Sequence, residues 1–546
     1  MTDAPTAAAL ADDLLDAQAV EMPVVATLVG IPGHDRDLPD LTLPAQARLR
    51  ERVTAILEQA RTSSDDDRVT LGLVVHQAEA ILARLDARME EFVLADPMDA
   101  QGAKMLSFLP QLNINGEQAE QDFLARLAGL PAFYETLAQR HRDGIAGGRA
   151  PVDRMARKAV AFVDRFLEQD SPFPQRLCAE HAAERDRVYT EQVRPALRAY
   201  RDVLADEVVG KGRDDDHPGL CHLEGGQEVY AALARMHTTT ALTPRELHDI
   251  GLDVIAKLDE EYREIGGREF GLHTAAEVQE RLRTDPAMRW RDADELLTSA
   301  RAAVVRATEA AKQWFKRVPK AECVVEPVPE ADGPVASGAY YYPPALDGSK
   351  PGTFFANTYR AETRDKFIAE SLAFHEAVPG HHFQIALAQE MTDVPMLRRL
   401  AEVTAHAEGW ALYAERLADE MGLFSNDLMR LGMLAEDSMR AARLVVDTGI
   451  HALGWTRQQC VDYLRAHTVM NETEVQSETD RYIECPGQAL AYMVGRLELQ
   501  RMRRAAEAKL GEKFDVKDFH DVVLSTGPLP MSVLADVVAQ WAEAQA

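Results

Sequence analysis

Apolar residues recur at three- and four-residue spacing along most of the chain, set among Ala, Arg, Glu and Gln. That period belongs to amphipathic helices. It predicts helices over 44–62, 68–94, 116–142, 151–169 and 181–209. Another, over 243–265, begins behind Thr243-Pro244-Arg245-Glu246. This tetrapeptide offers an N-cap, a proline at the first helical position and an acid in the first turn. The spacing continues over 275–284, 292–317, 361–377, 396–421, 427–450, 456–467, 487–509, 516–524 and 531–544. No fixed-length period repeats, so a solenoid is not expected.

Two stretches interrupt this texture. Residues 211–226 form a polar, glycine-rich loop. Residues 322–359 hold Val324-Val325, then Val335 to Tyr342, then Thr353 to Asn357, separated by Pro and Gly. Such runs read as a small antiparallel sheet. The expected fold is mainly α, with long helices in two lobes and the small sheet near residues 322–359. An N-terminal helical lobe spans 1–320 and a catalytic lobe 321–546, as one continuous folding unit.

Composition narrows the function. The chain has 546 residues, enough for a large core without disulfide or metal staples. Lys and Arg total 60 against 89 Asp and Glu, a net charge of −29. That charge opposes binding to nucleic acid or an anionic membrane, and neither is an expected partner. The first basic residue is Arg36, preceded by Asp3, Asp12, Asp13, Asp16 and Glu21, unlike a signal or transit peptide. No apolar run approaches the roughly 18 residues of a membrane helix. The five cysteines are scattered without a CxxC pair, as expected of reduced thiols in a cytoplasmic protein. Neither a GxxxxGK[ST] phosphate loop nor a GxSxG nucleophile elbow occurs, which disfavours nucleotide-dependent and serine-hydrolase chemistry.

The richest chemistry lies in Phe374-His375-Glu376-Ala377-Val378-Pro379-Gly380-His381-His382-Phe383-Gln384. Zinc takes neutral imidazoles and a carboxylate and leaves a position for water. A glutamate beside the first histidine is placed to be the general base, here Glu376. The spacing departs from HExxH. His375 and His381 are six apart, about 240° around a regular helix and on the wrong face. His382 nearly eclipses His375 but lies about 10.5 Å along the axis. Pro379-Gly380 supplies the remedy. Proline cannot donate to the preceding turn and glycine permits unusual dihedrals, so a kink or bulge can bring a second histidine beside His375. The best third ligand is Glu408, within Ala405-His406-Ala407-Glu408-Gly409-Trp410-Ala411-Leu412-Tyr413-Ala414-Glu415. Glu402 and His406 are rivals, and an ion pair of Glu408 with Arg440 or Arg443 is the plain alternative.

His-Glu-x-x-Pro-Gly-His followed by Glu-Gly-Trp-Ala-Leu-Tyr-Ala-Glu resembles the bacterial domain-of-unknown-function family 885. That family is grouped with gluzincin-type metallopeptidases. The likeness extends to Tyr230–Thr239, Pro351–Phe354, Val446–His451, Arg481-Tyr482, Pro486–Tyr492 and Phe519-His520. It implies a neurolysin- or carboxypeptidase-Taq-like fold with Zn2+ at the floor of a deep central channel. It also implies His381 rather than His382 as second ligand, Glu408 as third and Glu376 as base.

Around the metal, Tyr482 and Tyr492 are candidate oxyanion donors. Arg481 and Arg496 are candidate forks for a substrate carboxylate, though Arg496 reads better as a structural ion pair. Asp447 and His451, spaced i, i+4, are candidates for a pair that orients a ligand. His520 is a weaker candidate. Thr353 to Asn357 is a candidate strand for pairing with an extended substrate, with Tyr340, Tyr341 and Tyr342 lining it or packing the sheet. The expected activity is zinc-dependent hydrolysis of peptide or amide bonds in short peptides. Amide or ester processing in a specialised pathway, or binding on a decayed peptidase fold, are the alternatives. Oligomeric state is left open.

Overall fold

The three- and four-residue spacing folds as helix almost wherever it occurs. The computed structural model describes residues 5–546 except 171, 331–332, 334–335, 346–347 and 349. Thr243 and Glu246 form a reciprocal capping box at the start of Pro244–Phe270. Three expected helices are interrupted. The one over 68–94 stops at Ala87, where Arg88 turns left-handed at φ 51°. Of 361–377 only Ala369–Glu376 is α-helical, because Lys366 N–H bonds the Met288 carbonyl and the Arg364 carbonyl accepts from Trp290. The stretch 396–421 divides into Met396–Leu400 and Thr404–Glu420, with extended backbone at Ala401. Helices also form over Ala7–Glu21, Gly226–Thr238 and Glu472–Glu484, where Ala, Gly or polar residues dilute the apolar spacing.

The chain groups into two units. The first comprises Met1–Leu233, Gly449–Cys460 and Ser477–Pro486. Its core surrounds Glu117–Ala146, whose Phe123, Leu127, Leu130 and Tyr134 pack among Val193, Leu197 and Leu204. The stretch predicted helical over 181–209 alternates α-helix with π turns at Tyr189–Val193 and Leu204–Val208.

The second unit comprises Ala234–Thr448, Val461–Gln476 and Gly487–Ala546. It contains the sheet: β1 (Cys323–Pro327), β2 (Ala339–Tyr342) and β3 (Gly352–Ala356). The expected antiparallel sheet is in fact mixed. β3 pairs antiparallel with β2 but parallel with β1. The reason is burial. β3 alternates buried Gly352, Phe354 and Ala356 with half-buried residues, so the best-packed strand takes the centre. With both edges bonded, β3 has no free edge for an extended substrate, correcting the β-augmentation expected there. Val335 lies outside the described residues. Tyr340 and Tyr342 pack on the Phe355 ring, while Tyr341 turns to the opposite face.

Five helices bear the histidine cluster and the groups packed around it in this unit: α1 (Ala369–Glu376), α2 (His381–Gln389), α3 (Thr404–Glu420), α4 (Asp427–His451, whose residues from Gly449 on fall in the first unit) and α5 (Ala491–Leu510). α3 and α5 meet backbone to backbone at Gly409 and Gly495. A Cβ on Gly409 would lie 2.5 Å from the Cα and carbonyl carbon of Gly495. Gly409→Ala therefore should destabilise the protein by about 1–3 kcal/mol or more, despite alanine's better helix propensity of about 1 kcal/mol. Denaturant unfolding checks this, and an unchanged midpoint would refute the close crossing.

Burial also shapes the acid response. His141, His451 and His520 are each pushed down to about 4 from 6.5 by burial. Below pH 6.5 the unfolded chain takes up protons that the folded chain refuses. The neutral-histidine contribution is thus complete above 6.5 and disappears as pH falls toward about 4. Urea midpoints measured across that window should fall with pH, and His451→Gln should flatten the slope.

Candidate metal centre

His375 is the penultimate residue of α1, and His381 is the first of α2. The helix does not bulge and continue. It ends at Glu376, turns through Ala377–Gly380 and restarts. Ala377 leaves helical space at φ −104°, ψ −101°, and the Val378–Pro379 peptide is cis. Gly380 lies against the exposed end of α1, where a Cβ would strike the Phe374 and His375 carbonyls. The turn is tied down from α3: Trp410, fully buried, donates its Nε1–H to the Pro379 carbonyl at 2.9 Å.

This break turns the two imidazoles onto Glu408. His375 Nε2 lies 3.5 Å and His381 Nε2 3.4 Å from Glu408 Oε2, and the rings stand 4.8 Å apart at 89°. The three ligating atoms all fall within 4.8 Å of one another. Ligands of a tetrahedral zinc at 2.0–2.1 Å are separated by ~3.3 Å, so this spacing fits the ion. Burial alone would push the Glu408 carboxyl up, but the His381 and His375 imidazoles hold it well below the usual range. Burial likewise opposes charge on His375, yet Glu408 and Glu415 carry it up to about 9. Each shift reflects the attraction between the carboxylates and the imidazoles that face them.

Glu415 also belongs to the centre, a residue to which the sequence reading assigns no role. It accepts the Nδ1–H of His375 at 2.8 Å and is itself bonded by Ser371 Oγ. It stands two helical turns beyond Glu408, so one face of α3 presents a carboxylate to each nitrogen of the His375 ring. A second acid at i+7 in an apolar stretch was the available signal. His381 Nδ1 is buried without a hydrogen-bond partner among the described residues.

The rivals are accounted for by their own contacts. His382 faces the sheet: Tyr341 OH bonds its Nδ1 at 2.8 Å and its Nε2 meets the Ala321 carbonyl at 3.0 Å. Burial pushes it down to about 4. His406 Nδ1 accepts the Leu529 N–H, and Glu402 is exposed. Arg440 pairs with Glu436 rather than Glu408, and with Arg443 it lies over the Tyr492 ring at 5.9 and 4.7 Å. Arg496 pairs with Asp437. His520 lies between Tyr413 OH and the Trp314 carbonyl.

Glu376, half-buried at the end of α1, makes no hydrogen bond or ion pair among the described residues. Its charge reaches Cys323 at the start of β1, whose thiol burial pushes up to about 12. The Asp447 carboxylate and the His451 ring face different partners. Asp447 accepts the Gly487 N–H at 3.0 Å. His451, in the first unit, accepts from Leu220 N–H, lies 2.7 Å from the Tyr482 carbonyl and stacks on Tyr230. Tyr482 and Arg481 also belong to the first unit, and both bond Glu478.

Residues 23–538 match the family described as bacterial protein of unknown function (DUF885). The chain belongs to that family. A candidate lipoprotein from Colwellia psychrerythraea, known from a crystal structure, is 27% identical. The match covers 99% of this chain and 100% of that one, with a TM-score of 0.89. A candidate lipoprotein of unknown function from Shewanella oneidensis is 17% identical at TM-score 0.77, covering 98% and 100%, and shares the fold. No curated protein matches the chain. Among the described residues no helix is long and apolar enough to cross a membrane.

Trp410→Phe keeps the ring and removes the donor, leaving the buried Pro379 carbonyl unpaired. Stability should drop by about 1–3 kcal/mol, read from denaturant unfolding. No loss would show that the turn holds without its clamp.

Proposed function

We propose that the chain is a zinc-dependent hydrolase that cleaves peptide or amide bonds of short peptides. One observation carries the reading: two imidazoles and a carboxylate at ligand spacing, beside the unpartnered carboxylate of Glu376. His375, His381 and Glu408 would hold the ion. When bound, it supplies a Lewis acid for the scissile carbonyl and lowers the proton affinity of water. Glu376 takes a proton from the attacking water and returns it to the leaving amine. Glu415 keeps the His375 proton on Nδ1, so that Nε2 presents its lone pair. Tyr482 and Arg481 both bond Glu478 within the first unit, and this reading gives neither a part in the chemistry. Tyr492, under two arginines, is a support for them, and Asp447 and His451 hold backbone near their own helix.

Five cysteines without a disulfide support work in a reducing compartment, the cytoplasm. The description of the Colwellia relative as a candidate lipoprotein weighs toward the envelope, and cell fractionation decides between them.

Glu376→Gln tests the chemistry. Zinc content by plasma emission should be unchanged, while hydrolysis across a dipeptide and tripeptide library falls by roughly 10²–10⁴-fold. Full zinc with undiminished hydrolysis would overturn the base assignment. A wild type that neither retains zinc nor hydrolyses anything would favour a binding protein. Turnover of non-peptide amides or esters alone would favour a specialised processing enzyme.

A further inference from the structure

A second convergence of ligand types lies in the first unit, in segments separate from the centre above. Glu120, Cys178 and His181 bring a carboxylate oxygen, a thiol sulfur and an imidazole nitrogen within 4.8 Å of one another. Glu120 stands in the first turn of Glu117–Ala146. Cys178 is the N-cap of Ala179–Val188, and His181 is three residues further on. At a helix start these positions are neighbours, since an N-cap side chain reaches toward the third residue. Cys178 makes no cap of its own. Glu120 supplies it from the other helix, accepting the Cys178 N–H at 3.1 Å while holding His181 Nδ1 at 2.6 Å. The His181 bond lowers the Glu120 carboxyl below its usual range.

The approach of the two helices is built rather than incidental. Phe173, just before Cys178 in the chain, packs edge-on to Phe123, one turn beyond Glu120. Gln175 donates to the Leu109 carbonyl at 2.7 Å. The segment carrying Cys178 is thereby pinned to the helix that carries Glu120. Cys178 is exposed, unlike the other four cysteines. This leaves the sulfur side open to solvent and to an arriving ion.

We propose that Glu120, Cys178 and His181 form a second metal site, for a thiophilic divalent cation such as Zn2+. Sulfur, imidazole and carboxylate together select zinc over magnesium or calcium, which prefer oxygen alone. Three protein ligands leave one position for water. Binding releases the Cys178 thiol proton to solvent and shifts His181 to its Nε2–H tautomer, so that Nδ1 and Glu120 are both free to ligate.

Cobalt(II) substitution tests the site on the intact chain. The apoprotein, stripped with a chelator, is titrated with Co2+ and followed by absorption. A thiolate ligand gives an intense near-ultraviolet sulfur-to-cobalt band, whereas histidine and glutamate ligands give only weak visible bands. The band should appear in the wild type, vanish in Cys178→Ser and weaken in His181→Ala. It should persist in His381→Ala. Zinc by plasma emission should fall from two equivalents to one in Cys178→Ser, with circular dichroism unchanged. No band in the wild type, or the same band in Cys178→Ser, would overturn the proposal. Because the His375 centre contains no sulfur, its failure would leave the band intact, and the two results remain separable.

Discussion

The second unit depends on one backbone event, the end of a helix at Glu376 and the start of another at His381. Histidines six residues apart on a continuous helix face in different directions, so ligation by both requires the helix to stop. Stopping a buried helix exposes carbonyls that need partners or close cover. Gly380 provides the cover by lying where no Cβ fits, and Trp410 provides the partner by donating to Pro379. Trp410 stands two residues after Glu408. The helix that clamps the turn therefore also presents Glu408, and its own position is set by the glycine crossing with α5.

The same helix explains why a buried, acid-rich centre is tolerable. Glu408 and Glu415 would each be costly to bury alone. They face opposite nitrogens of one imidazole, and the Arg440 and Arg496 guanidiniums lie close enough for their charges to be felt at Glu415. Arg496 and Arg416 in turn share Asp437. The charges form a connected set, and α3 supplies both carboxylates that face the His375 ring.

His381 and His382 show how adjacent residues acquire unlike roles. Successive residues on a helix differ by about 100°, so when one ring faces Glu408 the next faces away. What it meets there is the sheet, through Tyr341 and the Ala321 carbonyl. The small sheet thus acts on the centre indirectly, by fixing the rotation of α2.

The helical class, the start of Pro244–Phe270 and the donor types of the centre were legible in the chain, because each rests on local spacing or local capping. His375, Glu376 and Pro379-Gly380 could be read together since they are neighbours in sequence. Glu408 was within reach as an acid in an apolar stretch. Glu415 shares a face with Glu408 at i+7, but that spacing alone does not say which ring it meets across the core. The parallel pairing of β1 with β3 was equally hidden, since strand order is decided by which strand buries best. Asp447 and His451 share a helical face, yet their partners are backbone groups far along the chain, which no local spacing encodes. Sequence by itself determined which residues could bind a metal and where the helix had to break. Only the tertiary structure decided which nitrogen faces which carboxylate, because that choice depends on side chains brought together from distant parts of the chain.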